Sequence, residues 1–446
     1  MTKILSFLFS EFGFVVYKIA VIGSGISGLS ASWALAKHHN VTLFEKNSRL
    51  GGHANTVTID IDGGLPVDTG FIVYNQQNYP FLTDFFDFLN VNTQKSNMSF
   101  SVSLDDRDFE YSSNLLELVF DRKKWFSRRY RNLFFGLVKF YTSSLHSADY
   151  DDSTSLYEYL KTRQFNDQFI WDHIVPMCSA IWSCDFNSVK NSPAASFVSF
   201  FSNHQLAKLF GRPRWRTVSG GSQEYIAKIL EDSDNLVVKT SMNLETVQRG
   251  KEGITLCFRN GEKKSFDKLI FATHFDEALN LLQNPTLEEQ EILSGINYSR
   301  NLAVLHEDDR EMPMRKSTWS AWNFIGSGND SFEKVRVSYW MNKLQNLPTK
   351  RQLFVTLNPQ SELNEIHYQT HYTHPIFDVN ANEIKIRSIE IQGKNNTWFC
   401  SACLGDGFHE DGLQAGLWVA KQIINKLPLT RNKKFNRLPK SYQKSY

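Results

Sequence analysis

The run Lys18-Ile19-Ala20-Val21-Ile22 leads directly into Gly23-Ser24-Gly25-Ile26-Ser27-Gly28, and this stretch decides the fold. The first five residues are almost all apolar, which predicts a central parallel strand buried on both faces. The glycines then follow the spacing G-x-G-x-x-G, and an Ala- and Leu-rich helical pattern extends from Leu29 to Lys37. A buried strand, a tight glycine turn and a helix in this order predict a Rossmann-type unit that binds a dinucleotide.

Each glycine of the turn has a separate task in such a unit. Gly23 forms the tight turn, Gly25 lets the backbone approach a pyrophosphate, and Gly28 allows the helix to pack closely on the strand. The free amides and the dipole of the helix then receive the phosphate charge. The predicted cofactor contacts in this turn are Gly23, Ser24, Gly25, Ile26, Ser27 and Gly28.

The next residues distinguish between two dinucleotides. A second strand, Val41 to Phe44, ends at Glu45, whose carboxylate can accept hydrogen bonds from both hydroxyls of an adenosine ribose. This much suits NAD and FAD equally. Lys46 follows as a further predicted contact, and the run Arg49-Leu50-Gly51-Gly52-His53 adds a second glycine pair, which lets the chain pass under the phosphates and ribityl arm of a longer cofactor. The predicted contacts in this run are Arg49, Gly51, Gly52 and His53. Arg49 supplies positive charge there.

Two more glycine turns follow, one a short distance downstream and one near the C-terminus. Asp68-Thr69-Gly70-Phe71 opens an apolar strand, and Gly405 to Gly412 opens a helix predicted over Leu413 to Lys426. A helix N-terminus suits the electron-rich pyrimidine edge of a flavin. The predicted contacts therefore also include Asp68, Thr69, Gly70 and Phe71 of the first turn and Glu410, Asp411 and Gly412 of the second. These glycine-rich sites come from opposite ends of the chain, and we expect them to meet on one extended molecule. They therefore predict a single, non-covalently bound FAD.

Further motifs follow along almost the whole chain after Tyr17. They are Lys18 to Val57, Asp68 to Asn75, Ser96 to Phe100, Pro176-Met177, Ala180 to Ser183, Phe200 to His204, Trp215 to Ser222, Tyr339 to Asn342, Val355 to Pro359, His374 to Asp378 and Gly407 to Gly412. In these stretches the sequence resembles the flavin-containing amine oxidase and phytoene desaturase superfamily. Within it, the inner motifs resemble bacterial FAD proteins encoded beside cyclopropane-fatty-acid-synthase-like methyltransferases.

The resemblance implies an α/β fold with a Rossmann-type FAD-binding domain assembled from discontinuous segments and a mixed α+β substrate domain. The expected FAD segments are 18–95, 215–295 and 385–430, and the expected substrate segments are 96–214 and 296–384. An N-terminal extension (1–17) and a basic tail (431–446) complete the chain. The resemblance also implies hydride transfer from substrate to flavin.

The resemblance further places the backbone near Leu244 against adenine, and Ala272-Thr273 near the phosphates. Two features depart from the superfamily pattern. Ser401-Ala402 stands where an acid usually follows the last FAD strand, and Asp406 replaces that acid only if its loop bends back. The lysine that many amine oxidases hold near the flavin has no identifiable position, which weakens an assignment to amine oxidation.

Composition excludes several classes of protein. The 446 residues carry a net charge of +2, which gives no electrostatic basis for binding nucleic acid. The 35 Phe, 16 Tyr and 10 Trp suit a large core or a pocket for a flat or apolar ligand. Five scattered cysteines indicate a reducing compartment. Together these features predict a cytoplasmic protein with a small-molecule or lipid substrate.

Three segments carry alternative interpretations. Cys400 and Cys403 form a C-x-x-C within an expected buried strand, which favours packing over redox or metal use. His367, His371 and His374 would share one face of a helix, but Tyr368, Thr373 and Pro375 favour a strand and structural histidines. The first 17 residues lack a cleavage site and predict an extension rather than an export signal.

The segment 122–131 carries six cations interleaved with aromatic residues. A solvated face beside a packed helix is its simplest interpretation, and peripheral contact with an anionic membrane, at the inner membrane face, is the alternative. The basic tail has the same ambiguity and is expected to be disordered. A lipid methyltransferase is an expected partner through the resemblance.

Flavin chemistry needs little from the protein besides positioning, and an added base can be a neutral histidine or a tyrosine. Tyr74, His204 and His409 are the candidate catalytic residues. Three functions stay open: an oxidase or desaturase acting on an acyl or isoprenoid-like chain, an amine oxidase acting on a C–N bond, and a non-catalytic FAD-bound scaffold.

Overall fold

The computed structural model describes residues 15–113, 124–142, 154–203, 213–251, 253–326, 335–424, 426–429 and 434–443. Its strands are β1 (Lys18–Ile22), β2 (Asn40–Phe44), β3 (Thr56–Ile59), β4 (Leu65–Asp68), β5 (Tyr74–Asn75), β6 (Thr93–Lys95), β7 (Phe100–Leu104), β8 (Phe109–Ser112), β9 (Trp215–Val218), β10 (Leu236–Lys239), β11 (Leu244–Gly250), β12 (Gly253–Phe258), β13 (Lys263–Phe266), β14 (Lys268–Phe271), β15 (Asn297–His306), β16 (Trp322–Ile325), β17 (Val337–Trp340), β18 (Phe354–Leu357), β19 (Ile366–Ile376) and β20 (Thr397–Phe399).

Helices connect these strands. They are α1 (Ile26–Ala36), α2 (Pro80–Phe88), α3 (Arg128–Thr142), α4 (Leu156–Thr162), α5 (Asp167–Phe169), α6 (Val175–Trp182), α7 (Phe186–Lys190), α8 (Ala194–Asn203), α9 (Gln223–Glu231), α10 (Phe275–Leu281), α11 (Leu287–Ser294), α12 (Met341–Gln345), α13 (Val379–Arg387), α14 (His409–Ile423) and α15 (Lys440–Gln443). Between α5 and α6 the residues Ile170–Ile174 form a π-helical segment.

A five-stranded parallel sheet forms the dinucleotide-binding half. Its strand order is β10-β2-β1-β14-β20, and all neighbouring pairs run parallel. After Lys18, every residue of β1 is buried, as expected for a central strand covered on both faces. The sheet takes strands from opposite ends of the chain, so the predicted α/β class and its assembly from discontinuous segments are confirmed.

A second, mixed sheet of seven strands stands beside the first. Its order is β19-β15-β18-β17-β16-β7-β8, with only β16 and β7 parallel among its pairs. Helices α3 to α8 contribute the apolar side chains that pack with this sheet into a separate buried cluster. There are also three smaller sheets, β3-β4, β5-β9-β6 and β11-β12-β13; the first packs in the second buried cluster and the last in the first cluster. The exact domain boundaries given above stay a prediction.

Two predictions about the C-terminal part are wrong. The described part of the basic tail, 434–443, is packed rather than disordered, because Phe435, Leu438 and Tyr442 bury their side chains against the first cluster. The run from Trp398 to Cys403 is not a continuous strand either. Strand β20 ends at Phe399 and a 3₁₀ turn covers Ala402–Leu404, so the chain can turn back toward α14.

The histidine run is a strand, as predicted. Residues Ile366–Ile376 form β19, which pairs with β15 along its length. On a strand His367 and His371, four residues apart, share one face, whereas His374, three residues further on, lies on the opposite face. Within the described residues no group of three or more His, Cys, Asp or Glu could hold a metal ion.

Candidate functional site

The glycine turn after β1 has the geometry that its sequence predicts. Gly23 has φ +100°, and a Cβ there would lie 2.7 Å from the carbonyl oxygen of Ala272. A Cβ on Gly28 would lie 1.9 Å from the Gly23 carbonyl oxygen, so the helix packs on the turn at this position. Gly25 is different, because a Cβ built on it meets no atom within 4 Å. Free space at Gly25, in front of the first amides of α1, is what a bound pyrophosphate requires.

Glu45 lies at the base of this turn and is buried. Its Oε2 accepts hydrogen bonds from the Ser24 amide (3.0 Å) and hydroxyl (2.6 Å). Its Oε1 accepts from the Asn47 amide and side chain, both at 2.9 Å. A carboxylate has about four acceptor sites, so a ribose hydroxyl would have to replace one of these donors. The contact between Glu45 and ribose stays a prediction.

The second glycine pair lies directly over the first turn. A Cβ on Gly52 would lie 3.0 Å from the Cα of Gly25, and Gly52 has φ +58°. Arg49 donates to the Gly52 carbonyl (2.9 Å), and the Gly51 amide donates to the Ser24 carbonyl (3.0 Å). Arg49 therefore stabilises its own turn, and the two glycine motifs approach each other as one extended cofactor would need.

Three other predicted contacts lie around this loop. Lys46 forms an exposed ion pair with Glu277, at 2.6 Å. The amide of Ala272 donates to the Ile22 carbonyl, so the segment Ala272-Thr273 lies beside Gly23. Leu244 begins β11 and is half-buried at the edge of the first core. Of these, the structure brings Ala272-Thr273 directly to the turn.

Asp68 is a buried structural centre. Its carboxylate accepts hydrogen bonds from the Thr56 hydroxyl (2.6 Å), the Ser222 amide and hydroxyl (2.9 and 2.7 Å) and the Gln345 side chain (2.8 Å). Burial raises the pKa of Asp68 to about 6 despite these donors. The sequence did not identify Ser222 and Gln345 as partners of Asp68, although Ser222 ends one motif that carries the superfamily resemblance and Gln345 lies three residues after another.

The rest of the Asp68–Phe71 turn joins the two halves of the molecule. The Thr69 hydroxyl lies 2.8 Å from the Tyr372 hydroxyl of β19. A Cβ on Gly70 would lie 2.0 Å from the His53 carbonyl oxygen, so this glycine is required for close packing. Phe71 stacks on His409 with ring centroids 3.7 Å apart. The turn therefore lies between the N-terminal glycine loops and the start of α14.

A cluster of neutral histidines lies beside the second glycine pair. His53 stacks on Tyr372 (5.0 Å between centroids) and meets His374 edge-on (5.2 Å). His274 packs 6.3 Å from His53. Burial lowers the pKa of all three, that of His374 to about 4. Among the described residues, the shielded Nε2 atom of His53 has no hydrogen-bond partner.

The start of α14 reaches the first helix. A Cβ on Gly412 would lie 2.8 Å from the side chain of Ile26, and one on Gly416 would lie 2.2 Å from the Ser27 carbonyl oxygen. These contacts bring the N-terminal ends of α1 and α14 together. Both ends carry positive partial charge, which favours an anionic group between them.

The side chains of Glu410 and Asp411 have structural roles. Glu410 accepts hydrogen bonds from the amides of Phe81 (3.0 Å) and Leu82 (2.9 Å) at the start of α2. Asp411 accepts from the Asp406 and Phe408 amides at 3.0 and 2.8 Å. Burial raises the pKa of both carboxyls, that of Asp411 to about 7. A cofactor contact here would go through backbone amides and stays a prediction.

The three candidate catalytic residues differ in their surroundings. Tyr74 is buried and packs edge-on against Tyr79 and Phe86. His409 lies at the start of α14, with Nε2 3.1 Å from the Tyr225 hydroxyl. Burial lowers the pKa of His409 to about 3, so the ring is neutral at physiological pH. His204 lies outside the described residues.

The cysteines of the C-x-x-C are buried and reduced in the structure. Burial raises the pKa of Cys400 and Cys403, so both are protonated thiols that pack in the first core. Asp406 lies in the turn before α14, where its carboxylate is 3.7 Å from Arg437. This ion pair connects the packed tail to the last glycine turn.

Comparison with known proteins identifies the family. Residues 26–353 match the family model of flavin-containing amine oxidoreductases. The chain belongs to this family. Over 54 residues it is also 46% identical to 4,4'-diapophytoene desaturase (4,4'-diaponeurosporene-forming) of Staphylococcus aureus strain Newman, 12% of this chain and 10% of the relative. The chain therefore spans about a tenth of the length of the curated relatives that it matches.

Solved structures share the fold across almost the whole chain. A CLA-producing fatty acid isomerase from P. acnes has a TM-score of 0.66 at 15% identity, covering 91% of this chain and 98% of its own. A reduced UDP-galactopyranose mutase has a TM-score of 0.66 at 15% identity (94% and 97% covered), and a putrescine oxidase bound to putrescine has 0.63 at 14% (92% and 100%). These likenesses show the fold.

The matched family is that of flavin-containing amine oxidoreductases, and the solved structures share the fold of this chain. The residues present fit a flavin nucleotide, since Gly25 faces open space and the ends of two helices converge beside it. No described helix is both long and apolar enough to cross a membrane.

Proposed function

We propose that the chain binds one FAD non-covalently and oxidises a mainly apolar substrate, such as an acyl-lipid chain, in a desaturase-like reaction. FAD, when bound, accepts a hydride from a carbon of the substrate. The observation that carries the proposal is the convergence of the Gly25 turn, the Gly52 turn and the start of α14 next to an apolar cleft.

A small cleft of about 30 Å³, lined mainly by apolar side chains, favours an apolar group on the substrate. Its walls come from α6, α7, α8 and the end of β19, and include Trp182, Val189, Phe197 and Phe377. The cleft reaches Asp406, in the glycine turn that precedes α14. The cleft has room for only a small group, so a carbon chain would have to separate these walls before it could reach the proposed flavin site.

The chain's own residues would position the reacting groups and exclude water. Backbone amides at the start of α1 and α14 would hold the negatively charged parts of FAD. His409 is neutral, and its Nε2 lies 3.1 Å from the Tyr225 hydroxyl, so this side chain would orient groups beside the flavin rather than act as a strong base. Since Tyr74 packs in the core, His409 is the better-placed candidate of the two.

The first experiment is purification followed by absorbance spectroscopy and identification of the flavin released on denaturation. FAD released without proteolysis supports the proposal, whereas a colourless protein that ignores added FAD or takes up NADH contradicts it. Anaerobic reduction of the bound flavin by a panel of acyl lipids, compared with polyamines, then tests the substrate class.

Amine oxidation is a second candidate, and one observation favours it. Lys385 is the buried lysine of the described residues, and its Nζ lies 3.7 Å from the ring of Phe377, which lines the cleft. Burial lowers the pKa of Lys385. Peroxide release from polyamines but not from lipids would select this function, and Lys385→Met should then abolish it. Flavin that no cell extract reduces would favour a non-catalytic scaffold.

The cellular compartment and the partner protein are also proposals. The buried, unpaired thiols suit a reducing cytoplasm. A lipid methyltransferase partner would act on the same class of substrate, and copurification from the native organism would test that association.

A further inference from the structure

One helix exposes apolar and basic side chains together. The solvent-facing positions of α3 follow a spacing of three and four residues, which places them on one side of the helix. They are Arg128, Arg131, Phe135, Val138 and Thr142. The opposite side holds Leu133, Gly136, Leu137 and Phe140, which are buried in the second core. The helix is therefore anchored, and its outward side does not pack on that core.

The outward side is unusually apolar for a solvated surface. Phe126, just before the helix, is 88% exposed, and Phe135 and Val138 are 61% and 43% exposed. Among the described residues, the one other phenylalanine with comparable exposure is Phe88, at 47%. Exposed large apolar side chains that cluster together mark an interaction surface. We call Phe126, Arg128, Arg131, Phe135 and Val138 the basic–aromatic face.

The charge of this face is positive. Helix α3 contains no Asp or Glu, whereas Arg128 and Arg131 are both exposed. Two nearby acids, Asp105 and Asp172, form ion pairs with Arg129, the latter at 2.7 Å. They are therefore paired with Arg129 rather than with Arg128 or Arg131. The outward cations thus flank the apolar side chains without a described acid on the same helix.

We propose that the basic–aromatic face docks on an anionic lipid surface. Cations beside exposed aromatic residues on an amphipathic helix suit the headgroup region, where phenylalanines insert and arginines meet lipid phosphates. A second copy of this chain is a poorer occupant, because a symmetric contact would bring the same arginines against each other. The proposal does not depend on the proposed reaction.

Vesicle co-sedimentation of the full flavin-loaded chain tests this docking. Wild type should bind vesicles of phosphatidylcholine with phosphatidylglycerol, and not phosphatidylcholine alone, and high salt should weaken the binding. The double variant Arg128→Gln/Arg131→Gln should lower the partition coefficient about 25-fold, since each cation near an anionic surface contributes about fivefold. Phe126→Ser/Phe135→Ser should lower it about tenfold or more.

A matched control removes the same residue types elsewhere. Phe88→Ser/Arg259→Gln takes away one exposed phenylalanine and one exposed arginine on other elements and should bind like wild type. Flavin content should stay unchanged in all variants. The thermal midpoint should fall slightly where Phe88 loses its contact with Trp33 and where Arg131 no longer donates to the Trp125 and Phe126 carbonyls, so binding is compared below the unfolding temperature of every variant. Equal binding to neutral vesicles, or face variants that bind like wild type, would overturn the proposal. So would a dimer in solution that Phe126→Ser/Phe135→Ser dissociates without any vesicle binding.

Discussion

Replacing Gly25 with alanine separates cofactor binding from folding, because the protein itself has room for the added methyl group. Gly25 has φ −64° and ψ 176°, which alanine adopts freely. No atom lies within 4 Å of its ideal Cβ position. Alanine caps a helix less well than glycine, by up to about 1 kcal/mol. The stiffer unfolded chain offsets about 0.4–1 kcal/mol of this, so stability without flavin should change little.

The same methyl group would occupy the space proposed for the pyrophosphate. Overpacking of this kind costs about 1–3 kcal/mol, which corresponds to a Kd for FAD roughly 5–150 times higher. Titration of the flavin-free protein with FAD, followed by flavin fluorescence, measures this change. Thermal unfolding with and without FAD gives a second measurement, since ligand stabilisation depends on the ratio of ligand concentration to Kd.

Gly28→Ala is the matched control, because its Cβ would lie 1.9 Å from the Gly23 carbonyl oxygen. That variant should unfold more easily even without flavin. If Gly25→Ala bound FAD with the wild-type Kd, the pyrophosphate would not lie at this turn. If Gly25→Ala instead lost stability without flavin, as Gly28→Ala is expected to do, the conclusion that a methyl group fits at Gly25 would be wrong.

Three further changes test other parts of the molecule. Glu410→Gln should lose about 1–3 kcal/mol of unfolding free energy, because its amide group cannot accept both helix amides; loss of flavin at unchanged stability would instead indicate direct cofactor contact. Burial lowers the pKa of His306 to about 4 from 6.5, so stability should fall by roughly 3 kcal/mol as pH drops from 6.5 to 4; urea unfolding of His306→Gln should show a shallower pH dependence. Gly136→Ala places a Cβ 2.3 Å from Phe169 and should destabilise the protein by about 1–3 kcal/mol in the same assay, without changing FAD affinity.

Local patterns in the sequence were sufficient for the parallel sheet. The apolar run of β1, the spacing of Gly23, Gly25 and Gly28 and the following helix act over a few residues, where backbone geometry depends on near neighbours. The family resemblance added the distant strands of the same sheet. The histidine strand β19 was also predicted, because Tyr368, Thr373 and Pro375 disfavour a helix locally.

Interactions between distant segments were not predictable in the same way. Asp68 was expected to contact the cofactor, yet the structure surrounds it with donors 154 and 277 residues further along the chain. Glu410 was expected at the flavin, yet it caps α2 across 329 residues. In both cases a carboxylate could accept hydrogen bonds either from the cofactor or from the protein itself. Only the groups that lie next to it in space decide which donors it receives.

The sequence by itself determined the Rossmann-type architecture, the flavin assignment and the position of the glycine turns, since these depend on short-range spacing and on motifs. Only the tertiary structure decided that the tail at 434–443 packs, that Tyr74 lies in the core and that Phe126 and Phe135 face outward. Burial is a property of surfaces brought together from far apart in the chain, and composition alone does not specify which of them meet.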